Sequence, residues 1–424
     1  LGDVYKRQTY NGSSKKMVPT GTILKEISDN YATDFAYDIL IAKVNNDIME
    51  LGDTLTKSCN IEFYDRCSTL GHCVYAASAN FILILATRNV LGRDARIIIN
   101  HSLDNGVFCQ IDGANITRSI VKRIEDEMKR IVDADYKFEK FSVSRTDAMK
   151  YFKIHDQLDK VNVLKYISNT YINLYRLDDL FDYFYGKLAY STGQINDFKL
   201  TYIKGNGLVL SIPTLVNSAY TLDYVHHEKI YQTFANLEMV SNSLGVIHAS
   251  DLNRVVSNAM TTELILNSEA YYDTQLQKTA DDIIKRGGVR LVLLAGPSSS
   301  GKTTTSKKLM TYLKARGMSV VQISVDNYFV DRDKSPIGED GKYDLESLYA
   351  VDLKLFNDHL KALMNGEEIE MPTYNFVTGK REFKGNYVRL NPDDIMVVEG
   401  IHCLNDELTQ SINKAVSYTH LTLP

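Results

Sequence analysis

Gly296-Pro297-Ser298-Ser299-Ser300-Gly301-Lys302-Thr303-Thr304 is the stretch whose residue types and spacing most directly imply chemistry. It fits G-x-x-x-x-G-K-[ST], in which glycines let successive backbone N–H groups turn inward around a phosphate chain. A helix starting there adds the positive end of its dipole. In such a loop Lys302 would reach the β- and γ-phosphates, and Thr303 Oγ1 would hold Mg²⁺. Gly296, Ser298, Ser299, Ser300, Gly301, Lys302, Thr303 and Thr304 are therefore the candidate nucleotide-binding residues. ATP and Mg²⁺ are the expected cofactors, with GTP as the alternative nucleotide.

Two acidic residues could serve the same phosphates. Asp326 follows the largely apolar run 319–325, and Glu399 follows Ile395-Met396-Val397-Val398. In open α/β sheets, ligands gather just beyond the carboxyl ends of the strands. There Asp326 could take the proton of an attacking hydroxyl or hold a Mg²⁺-bound water, and Glu399 could bring a carboxylate to the metal. The plain alternatives are a capping aspartate and an ordinary strand-ending acid. Lys302 and Asp326 are the candidate catalytic residues; Thr303, Glu399 and Asp326 are the candidate metal-holding ones.

The elements that must position these groups are legible around them. Residues 289–295 are a short apolar run of the kind that forms a buried parallel strand. After the loop, Leu309, Met310 and Leu313 fall at helical spacing, and Gly317 supplies a stop. Asp352 reads as the N-cap of a helix with Leu353, Phe356, Leu360 and Leu363 on one stripe, closed by Asn365-Gly366. An extended segment, 369–379, then leads through a turn to Arg381-Glu382-Phe383. Tyr374 and Phe376 are two apart and project to one side, either to face a planar ligand or to fill a hairpin core.

The rest of the chain sets bounds. Its 424 residues suffice for two or three domains, with 44% hydrophobic and 24% charged residues as in ordinary globular proteins. A net charge of −5 gives no support to RNA as a partner. No uninterrupted apolar run reaches 18 residues, so no membrane association is expected. The five cysteines form no C-x-x-C pair and read as reduced thiols, which with the absence of a visible secretory signal points to the cytoplasm. His226-His227-Glu228 is read as locally bonded or solvated rather than metal-binding. Residues 1–8 and 416–424 resemble translated adapter sequence and are set aside from the fold reasoning. The part that carries the phosphate loop is then expected to be cut off past Lys414.

Residues 9–65 combine a helical stretch (Ile23, Leu24, Ile27) with short strands around 39–44 and 60–64, and resemble the TGS module, a β-grasp fold at the front of threonyl-tRNA synthetases. Residues 67–217 resemble the second additional domain of threonyl-tRNA synthetase, through Ser68-Thr69-Leu70-Gly71-His72, 95–102 and 182–188. The metal or editing cluster of that family is degraded: His72 keeps the first position, Ala76 stands at the second, and Phe184 and Leu188 at the later ones. One imidazole is too few for a catalytic metal. Residues 218–287 read as a helical connector.

Residues 288–414 resemble the uridine kinase and phosphoribulokinase family of P-loop kinases. G-P-S-S-S-G-K-T-T, D-N-Y-F, Tyr343-Asp344, P-T-Y-N-F and V-V-E-G carry the resemblance. It implies an α/β and α+β multidomain chain: a P-loop parallel sheet, truncated, preceded by β-grasp and synthetase-like modules. It also implies ATP-dependent transfer of the γ-phosphoryl group to the 5′-hydroxyl of a uridine- or cytidine-like nucleoside. Asp326 would be the base, Asp344 would hold the ribose hydroxyls, Tyr374 and Phe376 would flank the base ring, and Glu399 would support the metal. Gly379 stands where uridine kinases place a base-reading histidine, and the arginine-rich lid would lie beyond the chain, so slow turnover is expected. The rival readings are a kinase for another small-molecule alcohol and a TGS-containing regulatory nucleotide- or RNA-binding protein. Against a GTPase, Asn413-Lys414-Ala415-Val416 lacks the aspartate of N-K-x-D.

Overall fold

The computed structural model describes residues 5–10, 14–113, 115–205, 207–338 and 341–421, with side chains from residue 17 to 419. The chain divides into two compact units, Leu1–Asn258 and Ala259–Pro424. The division falls inside the stretch read as a helical connector.

The first unit opens with a mixed five-stranded sheet of order β2-β1-β5-β3-β4. Its strands are β1 (Tyr5–Tyr10), β2 (Ser14–Pro19), β3 (Ile41–Val44), β4 (Asp47–Glu50) and β5 (Cys59–Tyr64), with helix α1 (Leu24–Ser28) between β2 and β3. Alternation decides which face is inward: in β5, Cys59, Ile61 and Phe63 are buried while Asn60 is exposed. Leu24 and Ile27 of α1 join the same core. Strand β1 runs parallel to β5 and antiparallel to β2, so four residues set aside as a foreign tail, 5–8, enter the sheet. Residues 1–4 and 422–424 of the tails lie outside the described residues.

Helix α2 (Thr69–Leu91) is the spine of the next layer, started by Ser68, whose side chain accepts from Gly71 N. Its 23 residues make it long and apolar enough to cross a membrane. The sequence run of apolar residues is interrupted by Ser78, Asn80 and Thr87, which a helix accommodates. Here Phe81, Ile82, Leu83, Leu85 and Ala86 pack into a protein core. That core is closed by β6 (Arg96–Leu103), β7 (Gly106–Asp112), α3 (Arg118–Asp133) and the three-stranded sheet of β8 (Glu139–Ser144), β9 (Tyr171–Leu177) and β10 (Leu180–Asp182). Helices α4 (Arg145–Ile154) and α5 (Leu158–Leu164) cover β8 and β9, and β11 (Lys199–Ile203) and β12 (Gly207–Ser211) complete the β6–β7 sheet. Helix α6 (Glu228–Ser243) lays Phe234 on His101, 3.9 Å between ring centres, and α7 (Ala249–Ser257) ends the unit.

The synthetase-like reading of 182–188 has a physical counterpart here. Phe184 packs on Phe81, 4.9 Å between ring centres, and Leu188 is 1% exposed. His226 is not on a helix: it precedes α6, its Nε2 donating to Glu228 Oε2 (2.7 Å) and its Nδ1 meeting Tyr224 Oη (2.9 Å).

The second unit is an α/β layer. Its sheet is wholly parallel, of order β14-β17-β13-β18, from β13 (Leu291–Ala295), β14 (Val320–Ser324), β17 (Ile395–Gly400) and β18 (Ser417–Leu421). Every residue of β13 and β17 is buried, as befits strands covered on both faces. Strand β18 belongs to the other segment set aside above; it pairs with β13, whose backbone edge would otherwise be unpaired. Helices α8 (Thr261–Arg286) and α9 (Lys302–Ala315) pack together, tied by Lys308–Asp273 (2.7 Å) and Arg316–Asp281 (2.6 Å). Between β14 and β17 lie α10 (Leu353–Met364) and the hairpin β15 (Glu368–Asn375) and β16 (Lys380–Arg389). Asp352 caps α10, accepting from Leu355 N at 3.0 Å, and its other oxygen takes Arg381 Nη1 at 2.9 Å.

Candidate active site

Strand β13 ends at Ala295 and α9 begins at Lys302, so residues 296–301 form the connecting loop. Ser299 (φ 60°) and Gly301 (φ 77°) both adopt the left-handed region, with Ser300 N donating to Pro297 O at 3.3 Å. Glycine tolerates that backbone freely; Ser299 pays about 1–2 kcal/mol for it. Successive N–H groups in such a turn face one concavity, at the N-terminus of a 14-residue helix. Lys302 is only 9% exposed and its Nζ donates to Pro297 O at 2.8 Å, which holds the ammonium over the loop.

Glu399 lies on β17 opposite Leu294 of β13 and Ser324 of β14, next to the strand end and 4% exposed. Thr303, in the first turn of α9, places its Oγ1 3.4 Å from Glu399 Oε1. Asp326 follows the end of β14 in a single turn of 3₁₀ helix, Val325–Tyr328, and is half-buried. Burial raises its carboxyl above the ordinary range, and the charges of Lys302 and His402 act against that rise. The buried Cys403 thiol is pushed up by burial first, then by Glu399 and Asp326, with Lys302 opposing. Lys302, Asp326, Glu399, His402 and Cys403 therefore share one electrostatic neighbourhood beyond the strand ends.

His402 escaped the sequence reading. Its Nε2 is buried with no hydrogen-bond partner among the described residues. The available signal was its place, three positions after Glu399 and just past a strand terminus. Gly400 has its own steric reason: a Cβ there would lie 2.7 Å from Val325 Cβ and 2.8 Å from its Cγ2.

The donor set suits Mg²⁺. A hydroxyl and a carboxylate oxygen sit side by side, and this ion takes few protein oxygens, keeping waters and substrate phosphates for the rest. Among the described residues no group of three His, Cys, Asp or Glu forms a metal cage, as suits such an arrangement.

The acceptor residues named from sequence are distributed differently. Tyr374 is 6% exposed and packs edge-on against Phe329 (5.5 Å) and Phe376 (5.0 Å), inside the core. Phe376 is 58% exposed and keeps a ring face open. Tyr374 N donates to Asn327 Oδ1 at 3.3 Å, linking this hairpin to the turn that bears Asp326. Asp344 is exposed, and its Oδ1 accepts Glu346 N at 3.0 Å. At Gly379 (φ 68°) a Cβ would meet Arg332 Cβ at 2.8 Å, while Arg332 Nη2 donates to Phe376 O at 2.6 Å.

Residues 291–417 match the Phosphoribulokinase / Uridine kinase family. The second unit carries a domain of that family. A uridine kinase of Halobacterium salinarum is 34% identical over 27% of this chain and 48% of its own length. Over its N-terminal part the chain is similar to threonine–tRNA ligases; that of Acetivibrio thermocellus is 26% identical over 46% of this chain and 31% of the ligase. The chain thus spans about a third of that ligase and about half of that uridine kinase. A solved structure of a possible uridine kinase from Bacillus stearothermophilus aligns at 22% identity and a TM-score of 0.30, covering 35% of this chain and 79% of that one. The uridine kinase family domain holds all the phosphate-loop and acidic residues above; the ligase-like part holds none of them.

Proposed function

We propose that the second unit transfers the γ-phosphoryl group of ATP to the 5′-hydroxyl of a uridine- or cytidine-like nucleoside, in the cytoplasm. The observation carrying this reading is the meeting of Thr303 and Glu399 beneath the phosphate loop, with Asp326 beside Lys302. The loop amides and Lys302 would hold the β- and γ-phosphates and spread the charge of the transferring group. Thr303 and Glu399 would hold Mg²⁺, which when bound neutralises phosphate oxygens. Asp326 would orient the acceptor hydroxyl and take its proton, its basicity strengthened by partial burial. Phe376 would offer a stacking face, with Asp344 receiving ribose hydroxyls. Catalysis rests on positioning and electrostatics, without a covalent intermediate.

The test is ADP release from ATP and Mg²⁺ with uridine, cytidine, pantothenate or ribulose 5-phosphate as acceptor. Nucleoside-dependent ADP formation that Lys302→Ala lowers by about 10²–10³-fold, the usual effect of deleting one transition-state charge contact, supports the reading. Formation with only a non-nucleoside alcohol moves the substrate assignment to that alcohol, in keeping with Arg332 filling the space beside Gly379. Undiminished turnover in Lys302→Ala sinks the site.

A further inference from the structure

The turn that carries Asp326 is four residues of 3₁₀ helix, Val325–Tyr328, and Ser324 before it gives no side-chain cap. Such a turn makes poorer hydrogen bonds than an α-helix and holds its own shape weakly. Among the described residues no hydrogen bond fixes the Asp326 carboxylate itself, whose surroundings are burial and the charges of Lys302 and His402. Its place therefore depends on what anchors its neighbours. Asn327 Oδ1 accepts Tyr374 N at 3.3 Å, from the hairpin β15–β16. Tyr328 O accepts Asp352 N at 2.8 Å, at the start of α10. A third anchor joins two side chains: Tyr328 Oη meets Nδ1 of His359, on α10, at 3.1 Å.

That third anchor is the informative one. Tyr328 is 1% exposed, its ring edge-on to Phe356 (4.9 Å between centres) and to His359 (5.6 Å). A phenolic O–H at such depth needs an acceptor, because leaving it unpaired costs the desolvation of the group. Burial pushes the Tyr328 phenol up, with Arg381 opposing, so the hydroxyl keeps its proton and can donate. His359 is half-buried on a helix whose Phe356, Leu360 and Leu363 are sealed in the core of this unit. Burial holds its imidazole below the ordinary histidine range; Asp358 and Asp352 act against that fall and Arg381 adds to it. A neutral imidazole offers one acceptor nitrogen, and a charged one offers none.

We propose that His359 is a positioning residue for phosphoryl transfer: its Nδ1 accepts the Tyr328 hydroxyl and so fixes the turn that presents Asp326 to the acceptor. The inference rests on the kinase reading of the site, in which Asp326 takes the proton of the attacking hydroxyl. The imidazole itself touches no substrate. It acts through Tyr328, two residues from Asp326, by tying a weak turn to a capped helix. Rigid supports of this kind are what hold a catalytic group in productive geometry.

Two measurements on the full chain test this: ADP release with uridine or cytidine as acceptor, and amide hydrogen exchange read by mass spectrometry. Tyr328→Phe and His359→Leu should each lower kcat about tenfold, short of the loss a full 1 Å misplacement brings. KM for ATP should stay within about twofold, because the phosphate loop is untouched. His359→Asn, which returns an acceptor oxygen near the place of Nδ1, should recover most of the rate. The double variant Tyr328→Phe/His359→Leu should be no slower than the slower single one, since both remove the same bond. Exchange over residues 325–330 should quicken about tenfold in the single variants, with α9 unchanged. Parent-like kcat in both single variants, multiplying losses in the double one, no recovery in His359→Asn, or unchanged exchange over the turn each overturn the proposal. If His359→Leu does not fold, Tyr328→Phe, which removes one oxygen atom, decides. A parent that phosphorylates neither nucleoside defeats the nucleoside assignment separately, and exchange over the turn then decides whether His359 holds it.

Discussion

Replacing Gly400 by alanine probes whether the acidic cluster works by position. The added Cβ would lie 2.7 Å from Val325 Cβ and 2.8 Å from Val325 Cγ2, whereas carbon atoms rest at about 3.5–4.0 Å. Close to 1 Å must be found by moving β17 away from the turn that starts at Val325. Overpacking of that size costs about 1–3 kcal/mol. For a unit of this size each kcal/mol lowers the melting temperature by about 2–4 °C, so a fall of about 2–12 °C is expected. The displaced atoms adjoin Glu399 on one side and Asp326 on the other. A misplacement near 1 Å can cost about 10²-fold in rate, so turnover at saturating ATP should fall further than stability alone explains. The assay pairs ADP release at 20 °C, well below melting, with a circular-dichroism melt. Val325→Ala in the same chain removes the Cγ2 clash and leaves the Cβ one, so rescue should be partial. Gly186→Ala, where a Cβ meets nothing within 4 Å, should change neither quantity. Wild-type turnover and melting in Gly400→Ala would show that the close approach of β17 to Val325 is not what fixes the site.

The other expectations concern charge. Burial raises the folded-state pKa of Asp326, so its ionised form destabilises the fold; that effect is absent below the unfolded value and grows as pH rises through the folded one. Asp326→Asn should therefore melt higher than the parent at pH 7, with the gap closing toward acid, while abolishing turnover. In the parent, the acid limb of the rate–pH profile should lie above the ordinary carboxylate range and move higher in His402→Ala, because His402 opposes the rise. Glu399→Gln should raise the Mg²⁺ concentration for half-maximal rate at least tenfold, read by titrating Mg²⁺ at fixed ATP. In the first unit, Lys140 pairs with Glu50 (2.6 Å) and Asp53 (2.5 Å), and Glu50 is 6% exposed. Lys140→Met should destabilise by about 3 kcal/mol, at the low end for a broken buried pair because Lys140 is partly exposed, as denaturant unfolding will measure.

Much of the second unit was legible because its signals are local. A loop motif between an apolar run and a helical stripe specifies strand, turn and helix within about 25 residues, and Asp352 announced the cap that it makes. The acids at the strand ends could be placed by the same logic. Spacing said less about the aromatic pair: a two-residue period puts Tyr374 and Phe376 on one side, but only the packing of Phe329 shows that Tyr374 is core and Phe376 open. His402 was invisible because one histidine in a turn carries no period, and its isolation is a property of the folded surroundings. The paired segments 5–10 and 417–421 show the opposite limit. Residues 5–8 and 417–421 are set aside for their resemblance to translated adapter sequence, whereas sheet edges recruit any chain that can supply backbone hydrogen bonds.

The same contrast between local pattern and tertiary surroundings bears on the ligase-like part. A degraded ligand set read from sequence leaves open whether other side chains fill the vacated positions with new ligands. Here Phe184 lies against Phe81 and Tyr175, and Leu188 is sealed in the core with its N–H on Glu50 Oε1 at 3.0 Å. Restoring histidine at 188 would place an imidazole in apolar surroundings, where burial disfavours its charge and its nitrogens lack partners. Buried polar groups of this unit lie elsewhere, among them the Glu50–Lys140–Asp53 network, which is satisfied within the fold. A satisfied network of this kind ties β4 and the turn after it to β8.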